Sequence, residues 1–225
     1  MSRMQRFGER SGPSELANLE YGLAMDATYH LNRTAQPTMK RRVDLDGPDF
    51  YPTPAWATRA LIRHEVFEGN IWEPACGDGA MSEVLAETGR DVVSSDIVDR
   101  GYGAPGIDFL TASQRAANII TNPPYHSAEG FAARGLELAS QKVCLLLRLA
   151  FLEGAARQRS LFATTPPTRV WVFSERITFY PKGAVQAGSG TVAYAWFVWD
   201  KVAPGPTELR WFPAGTKAAN QKSPA

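Results

Sequence analysis

The sequence predicts an α/β protein built on a doubly wound, largely parallel sheet. Two observations carry this expectation. Short apolar runs of strand length alternate with stretches of helical period from residue 54 to about residue 199, and the first of those strands runs into a small-residue turn that opens a helix. In such folds ligands lie outside the carboxyl ends of the strands, where the strand order reverses. With 225 residues, 44% apolar and 11% aromatic, the chain can bury one substantial core flanked by short tails, and a second large domain does not fit.

Each element follows from its local pattern. Pro54 to Phe67 has helical period behind a starting proline, and Ile71-Trp72 is a short buried strand before Glu73-Pro74. Gly79 to Thr88 then reads as a helix, Asp91 to Ser95 as a strand, Ala117 to Thr121 as a strand and Ala128 to Ala139 as a helix. The apolar run Val143 to Leu147 is a strand, Glu153 to Phe162 a helix, Val170 to Phe173 a strand, and Val192 to Trp199 the last strand. Residues 1–45 lack sustained periodicity apart from a short helix candidate, Ser14 to Leu23, and read as a mobile arm. The α/β domain is then 46–202, and 203–225, rich in Pro, Gly, Lys and Ala, reads as a partly disordered tail.

Composition excludes several classes. No apolar run approaches the roughly 20 residues that span a bilayer, and the first residues lack the apolar core of a secretion signal, so a soluble cytoplasmic protein is expected. The two cysteines, Cys76 and Cys144, and the three histidines show no metal-ligand spacing, so reduced thiols and no metal are expected. The net charge of +1 conceals an asymmetry. Residues 70–130 hold nine acids against three bases, whereas 148–182 hold six bases (Arg148, Arg157, Arg159, Arg169, Arg176 and Lys182) against two acids. An acidic half suits a cationic cofactor and a basic half suits a polyanion. Arg148, Arg157, Arg159, Arg176 and Lys182 are therefore candidate nucleic-acid contacts; Lys40-Arg41-Arg42 could also touch phosphate.

The first sharp motif is Glu73-Pro74-Ala75-Cys76-Gly77-Asp78-Gly79. Small residues at Ala75, Gly77 and Gly79 let backbone approach a ligand closely after a strand. Asp96, ending the next strand about 20 residues on, is placed to accept ribose hydroxyls, with Ile97 beside it. Asp108-Phe109 falls where a third strand would end, with Asp108 able to accept from an adenine amino group and Phe109 to border the ring. Glu73 and Asp78 around the glycines would repel a pyrophosphate, whereas a cofactor bearing an ammonium and a sulfonium would be attracted.

The most specific feature is Asn122-Pro123-Pro124-Tyr125 after the strand that ends at Thr121. The lone pair of an aryl amine is delocalised into its ring, so such a nitrogen is a poor nucleophile and needs acceptors. The Asn122 side-chain oxygen and the Pro123 carbonyl can take its two hydrogens, and proline fixes that carbonyl with no competing N–H. Tyr125 can stack on a base taken out of a duplex, recovering roughly 1–3 kcal/mol of lost stacking.

These residues resemble the amino-directed methyltransferases, whose signature is Asn/Asp-Pro-Pro-Tyr/Phe after the fourth strand. Glu-Pro-Ala-Cys-Gly followed by Asn-Pro-Pro-Tyr is similar to adenine-N6 DNA methyltransferases that carry the cofactor motifs first. The resemblance spans about Phe50 to Trp199 and implies a Rossmann-like seven-stranded methyltransferase sheet, mostly parallel, with one antiparallel strand near the C-terminal end. It implies S-adenosyl-L-methionine as cofactor, held by Tyr51, Pro52, Thr53, Glu73, Ala75, Cys76, Gly77, Gly79, Asp96, Ile97, Asp108, Phe109 and Asn122. Asn122, Pro123, Pro124 and Tyr125 would be catalytic. Phe179, with Tyr180 second, would pack on the other side of the target base. His126 is read as a rim residue and Cys76 as a small motif residue rather than a nucleophile. The expected activity is methyl transfer to N6 of adenine in DNA, with adenine in RNA, a protein glutamine, or a non-catalytic nucleic-acid or partner-binding module as alternatives. Unlike sequence-specific members, the chain has no room for a target-recognition domain; small methyltransferases of this type suggest a phage or mobile element acting in a prokaryotic cytoplasm.

Overall fold

The computed structural model describes residues 50–180 and 190–221, all within the compact unit Pro48–Ala225. The helix expected at Ser14 to Leu23, the cluster Lys40-Arg41-Arg42 and Lys182 lie outside the described residues. The order is α1 (Ala55–His64), β1 (Ile71–Glu73), α2 (Ala80–Ala86), β2 (Val92–Ser94), β3 (Ala116–Thr121), α3 (Ala128–Leu138), β4 (Ala139–Arg148), α4 (Ala155–Arg157, continuing as a π-helical turn Gln158–Phe162), β5 (Arg169–Phe173), β6 (Tyr194–Asp200), β7 (Glu208–Phe212) and α5 (Thr216–Ala219). Single 3-10 turns, Tyr125–Ser127 and Leu149–Leu152, follow β3 and β4.

The seven strands form one sheet in the order β2-β1-β3-β4-β6-β5-β7. Only β6 runs against its neighbours, pairing antiparallel with both β4 and β5. Alternation along the strands sends side chains to two cores. Ile119, Leu145, Leu147 and Phe197 face the core on the α3 and α4 side, while Ile120, Cys144, Leu146 and Trp196 face the core shared with Trp56, Leu61 and Met81 from α1 and α2. The chain leaves β1 toward one edge and β3 toward the other, so the switch point lies between their carboxyl ends, beside the turn after Glu73 and the turn after Thr121.

Two expectations are corrected. The third strand expected to end at Asp108 does not form: the segment after Asp96 makes only an isolated bridge between Ser95 and Ala104, and Asp108 to Thr111 is a turn closed by Thr111 N–H to Asp108 O at 3.2 Å. Three glycines and a proline between Gly101 and Gly106 leave too little β-forming sequence there. The seventh strand instead comes from the segment read as a tail. Glu208–Phe212 pairs parallel with β5, and fully buried Phe212 anchors it against Trp171, Phe173 and His64 at centroid distances of 5.2, 4.6 and 5.1 Å.

Candidate active site

The glycine turn joins β1 to α2. Gly77 and Gly79 have φ of 58° and 87°, which side chains rarely adopt, and a Cβ at either would strike the ring of Phe50 or Tyr102. Those two rings therefore stand directly on the turn, and the guanidinium of Arg100 lies 4.4 Å from the Phe50 centroid. A ligand seated on the backbone of Gly77 requires the Phe50 ring to turn aside.

Asp96 is 9% exposed and pins the turn to the end of β2: Oδ2 accepts from Gly77 N–H and Oδ1 from Val98 N–H, both at 2.9 Å. Each oxygen keeps a second lone pair. Ile97 beside it is 61% exposed. Glu73 is buried and accepts from Ser82 Oγ, which also lies 2.6 Å from Ser94 Oγ. Burial pushes its carboxyl well above the usual range despite the Ser82 hydrogen bond, with Asp96 and Asp78 adding to the rise. Glu73 thus braces the start of α2 and does not line an open surface. Ala75 and Asp78 are half-buried in the same turn. The buried Cys76 thiol is pushed up to about 12, first by burial and then by Glu73 and Asp96, so it stays protonated and unreactive.

Phe109 departs from its expected role, and Asp108 sits in a turn rather than at a strand end. Asp108 Oδ1 accepts from Leu110 N–H at 3.0 Å within its own turn, and the Phe109 ring is in the core, 5.2 Å from Trp72 and 4.8 Å from Phe131. A ring so enclosed cannot border a ligand. A second exposed apolar group near Asp96, besides Ile97, is Ile107, whose N–H donates to Asp96 O at 3.1 Å.

Asn122 follows the end of β3. Its Nδ2 donates to Oγ1 of Thr53 at 3.0 Å, and its Oδ1 is buried with no hydrogen-bond partner. Thr53 is itself buried, behind half-buried Pro52 and exposed Tyr51. Pro123 is buried, Pro124 and His126 are exposed, and Tyr125 is half-buried. The Tyr125 ring lies 5.8 Å from Tyr194 and 4.6 Å beneath the guanidinium carbon of Arg148. Phe179 meets the same Tyr194 at 5.0 Å, edge to face, and Tyr180 is half-buried next to it. The structure therefore brings Tyr125 and Phe179 to one aromatic cluster, whose third member, Tyr194, the sequence reading missed. Its signal was there: an aromatic at the start of the last strand, which registers opposite Arg148.

The basic candidates separate. Arg148 and Arg157 line a cavity beside Tyr125, whereas Arg159 and Arg176 are exposed. Arg169 belongs elsewhere, in a buried ion network with Glu65, Lys142 and Asp200. Among the described residues no group of three or more potential metal ligands exists, and no helix is long and apolar enough to cross a membrane.

Sheet order and the placement of the two turns define the class: a Rossmann-like seven-stranded α/β fold of the methyltransferase type. Among solved structures it is similar to the methyltransferase subunit of the type I restriction-modification system from Streptococcus thermophilus (TM-score 0.54, 12% identity, 70% of this chain and 46% of that one). It is likewise similar to a Pyrococcus horikoshii protein described as an RNA methyltransferase (0.52, 14%, 70% and 91%). A third is a Vibrio vulnificus protein described as a modification subunit of a type I restriction enzyme (0.51, 14%, 92% and 55%). The chain thus spans about half the length of the two restriction-modification subunits. At these identities the likeness establishes the fold. No family model matches the chain, and no curated protein matches it.

Proposed function

We propose that this protein transfers a methyl group from S-adenosyl-L-methionine to the exocyclic N6 amino group of adenine in nucleic acid, with DNA as the acceptor. The observation that carries this reading is the state of Asn122. Thr53 takes its Nδ2, which commits the amide to presenting Oδ1 as an acceptor, and that oxygen is buried and unpartnered. An orphaned buried acceptor costs about 1–3 kcal/mol, a cost that an incoming N–H repays.

The donor set fits a cationic methyl donor. Asp78 and Asp96 give the turn its negative charge, and Gly77 and Gly79 bring no side chain of their own, so their backbone meets the cofactor once the covering Phe50 and Tyr102 rings turn aside. Asp96, held by Gly77 and Val98, has lone pairs left for ribose hydroxyls, and exposed Ile97 can flank a planar ring. When bound, the cofactor supplies an electrophilic methyl on sulfur. Asn122 Oδ1 and the Pro123 carbonyl then take the two amino hydrogens and turn the nitrogen lone pair toward that methyl. Alignment supplies most of the rate in a displacement of this kind. Tyr125, with Phe179 and Tyr194 nearby, offers aromatic surface to a base removed from its stack. The methylated amine is acidic enough to lose its proton to water, so no base is required, and protonated Cys76 takes no part. Proteins of the same fold that are named as restriction-modification subunits and as an RNA methyltransferase agree with a nucleic-acid acceptor.

The test is incorporation of labelled methyl into DNA by the purified protein, followed by digestion to nucleosides. N6-methyldeoxyadenosine is expected; N6-methyladenosine from RNA only, or label on protein, would move the acceptor. Asn122→Ala and Tyr125→Ala should each abolish incorporation while calorimetric titration with the cofactor is retained. A folded wild-type protein that binds no cofactor would point to a binding module instead.

A further inference from the structure

Next to Tyr125 lies a cavity of about 180 Å³ lined by Tyr125, Ala128, Leu147, Arg148, Ala150, Phe151 and Arg157. Its walls hold two guanidinium groups and no carboxylate. The two arginines differ in how they are held. Arg157 is fixed from the loop it closes: Nη1 donates to the carbonyls of Phe151 at 2.9 Å and Glu153 at 2.5 Å, its plane lies 4.2 Å over Phe151, and Glu129 stands 3.8 Å from Nε. Arg148, the last residue of β4, is paired with Tyr194 in the sheet, but its guanidinium makes no hydrogen bond and no ion pair with any described residue; its Nε is buried and unpartnered, and its one contact of note is the face of Tyr125. A half-buried cation with only an aromatic ring to offset its lost hydration is an incomplete arrangement.

We propose that this cavity is an anion subsite in which Arg148, supported by Arg157, grips a backbone phosphodiester adjacent to the nucleotide whose base reaches Tyr125. This rests on the nucleic-acid reading above and deepens it. A guanidinium presents only donors, in a planar fork that matches two phosphate oxygens, and a formal negative charge completes Arg148 more strongly than a neutral acceptor does. The volume is below the range of whole-ligand pockets, so it takes a fragment such as one phosphate with part of its sugar. Adjacency to Tyr125 gives the contact its use: the phosphate is gripped where the base must leave the stack, so registration and extrusion are coupled. Arg159 and Arg176, exposed and outside the cavity, are not part of it.

The experiment is equilibrium binding of a labelled mixed-sequence DNA duplex over a salt series, for wild type, Arg148→Gln, Arg148→Lys and Arg159→Gln. Arg148→Gln should weaken binding about tenfold and lower the magnitude of the slope of log K against log salt by about one, while Arg159→Gln changes the slope by less. Arg148→Lys, which keeps a charge without the fork, should retain the slope and lose affinity several-fold; it also carries the test if the glutamine variant does not fold. Cofactor titration and methyl incorporation are measured on the wild type in parallel. Wild type that binds cofactor and methylates DNA, with Arg148→Gln unchanged in affinity and slope, overturns the subsite and leaves the proposed function standing. Wild type that fails both removes the function and the subsite together. If inorganic phosphate at matched ionic strength protects wild type but not Arg148→Gln from thermal unfolding, while both bind DNA equally, the cavity serves a free anion and the phosphodiester assignment is wrong.

Discussion

At the scale of single residues, the proposed site depends on which end of the Asn122 amide is left to accept. Thr53 Oγ1 accepts from Asn122 Nδ2, which leaves Oδ1 as the end without a partner. Thr53→Val keeps the shape and removes the acceptor, so the amide is free to turn its donor outward, where it repels an amino hydrogen. We expect kcat to fall about a hundredfold, with cofactor affinity changed far less, in steady-state kinetics paired with calorimetry. An equal loss of both would make Thr53 a cofactor ligand only. Phe50 poses the converse case, since its ring lies on Gly77. If the free protein must move that ring to admit the cofactor, Phe50→Ala raises the association rate several-fold in stopped-flow measurements. An unchanged association rate would show that the ring is no obstacle. Neither contact was legible in the sequence: Thr53 was singled out only for a cofactor, and Phe50 only as part of a segment. The side chains meet across 69 and 27 positions of chain, and local pattern carries no information about such pairings.

At the scale of elements, the sheet is tied to α1 by buried charge. Glu65, just past the end of α1, accepts both arms of Arg169 from β5 at 2.6 and 2.8 Å, Lys142 from β4 at 2.8 Å and the Trp171 indole at 2.9 Å. Asp200, ending β6, accepts from Arg169 at 2.7 Å and lies 3.3 Å from Lys142. Burial alone would raise the Glu65 carboxyl, but the hydrogen bonds from Arg169, Lys142 and Trp171 outweigh it and the net shift is downward; Asp200 also shifts downward, because Arg169, the Ala203 N–H and Lys142 outweigh its burial. A carboxyl held below its ordinary range contributes stability that is fully present above the ordinary value and is lost as pH falls through the lowered one. Stability should therefore decline below about pH 4. Glu65→Gln, which leaves Arg169 and Lys142 to share Asp200 alone, should cost about 3 kcal/mol at neutral pH, the low end for breaking such a pair, and give a shallower acid limb. Urea denaturation at a series of pH values checks both; an unaltered acid limb would assign the decline to other carboxylates. Elements of strong period, such as Ala128–Leu138 and the apolar run of β4, were legible because the core they face imposes that period. The charge network was not, because its members lie in four separate elements.

At the scale of the whole molecule, the parallel half from Ile71 to Arg148 was legible, and so was the single reversed strand, but the two edges were not. One edge lacks the strand expected before Asp108, and the other gains Glu208–Phe212 from a stretch whose Pro, Gly and Lys content resembles a tail. Edge strands are short and half-solvated, so their apolar pattern is weak, and four of the five β7 residues are exposed. Beside its pairing with β5, β7 is anchored in the core by one side chain. Phe212 is fully buried, lies nearly parallel to Trp171 at 18°, and touches Phe173 and His64, while α5 beyond it is clasped by Arg59, whose Nη1 donates to the Asn220 and Gln221 carbonyls at 3.2 and 3.3 Å. Phe212→Ala should cost about 3–5 kcal/mol by leaving a cavity among those rings, which in a chain of this size lowers Tm by roughly 10 °C. The neighbour Trp211 is the internal control: it is 58% exposed, and Trp211→Ala should stay within about 0.5 kcal/mol of wild type. Thermal unfolding followed by calorimetry separates the two. If both substitutions cost the same, the last strand is an appendage; if only Phe212→Ala unfolds the protein early, and does so in one transition, the C-terminal segment is part of the cooperative core that positions the turns after β1 and β3.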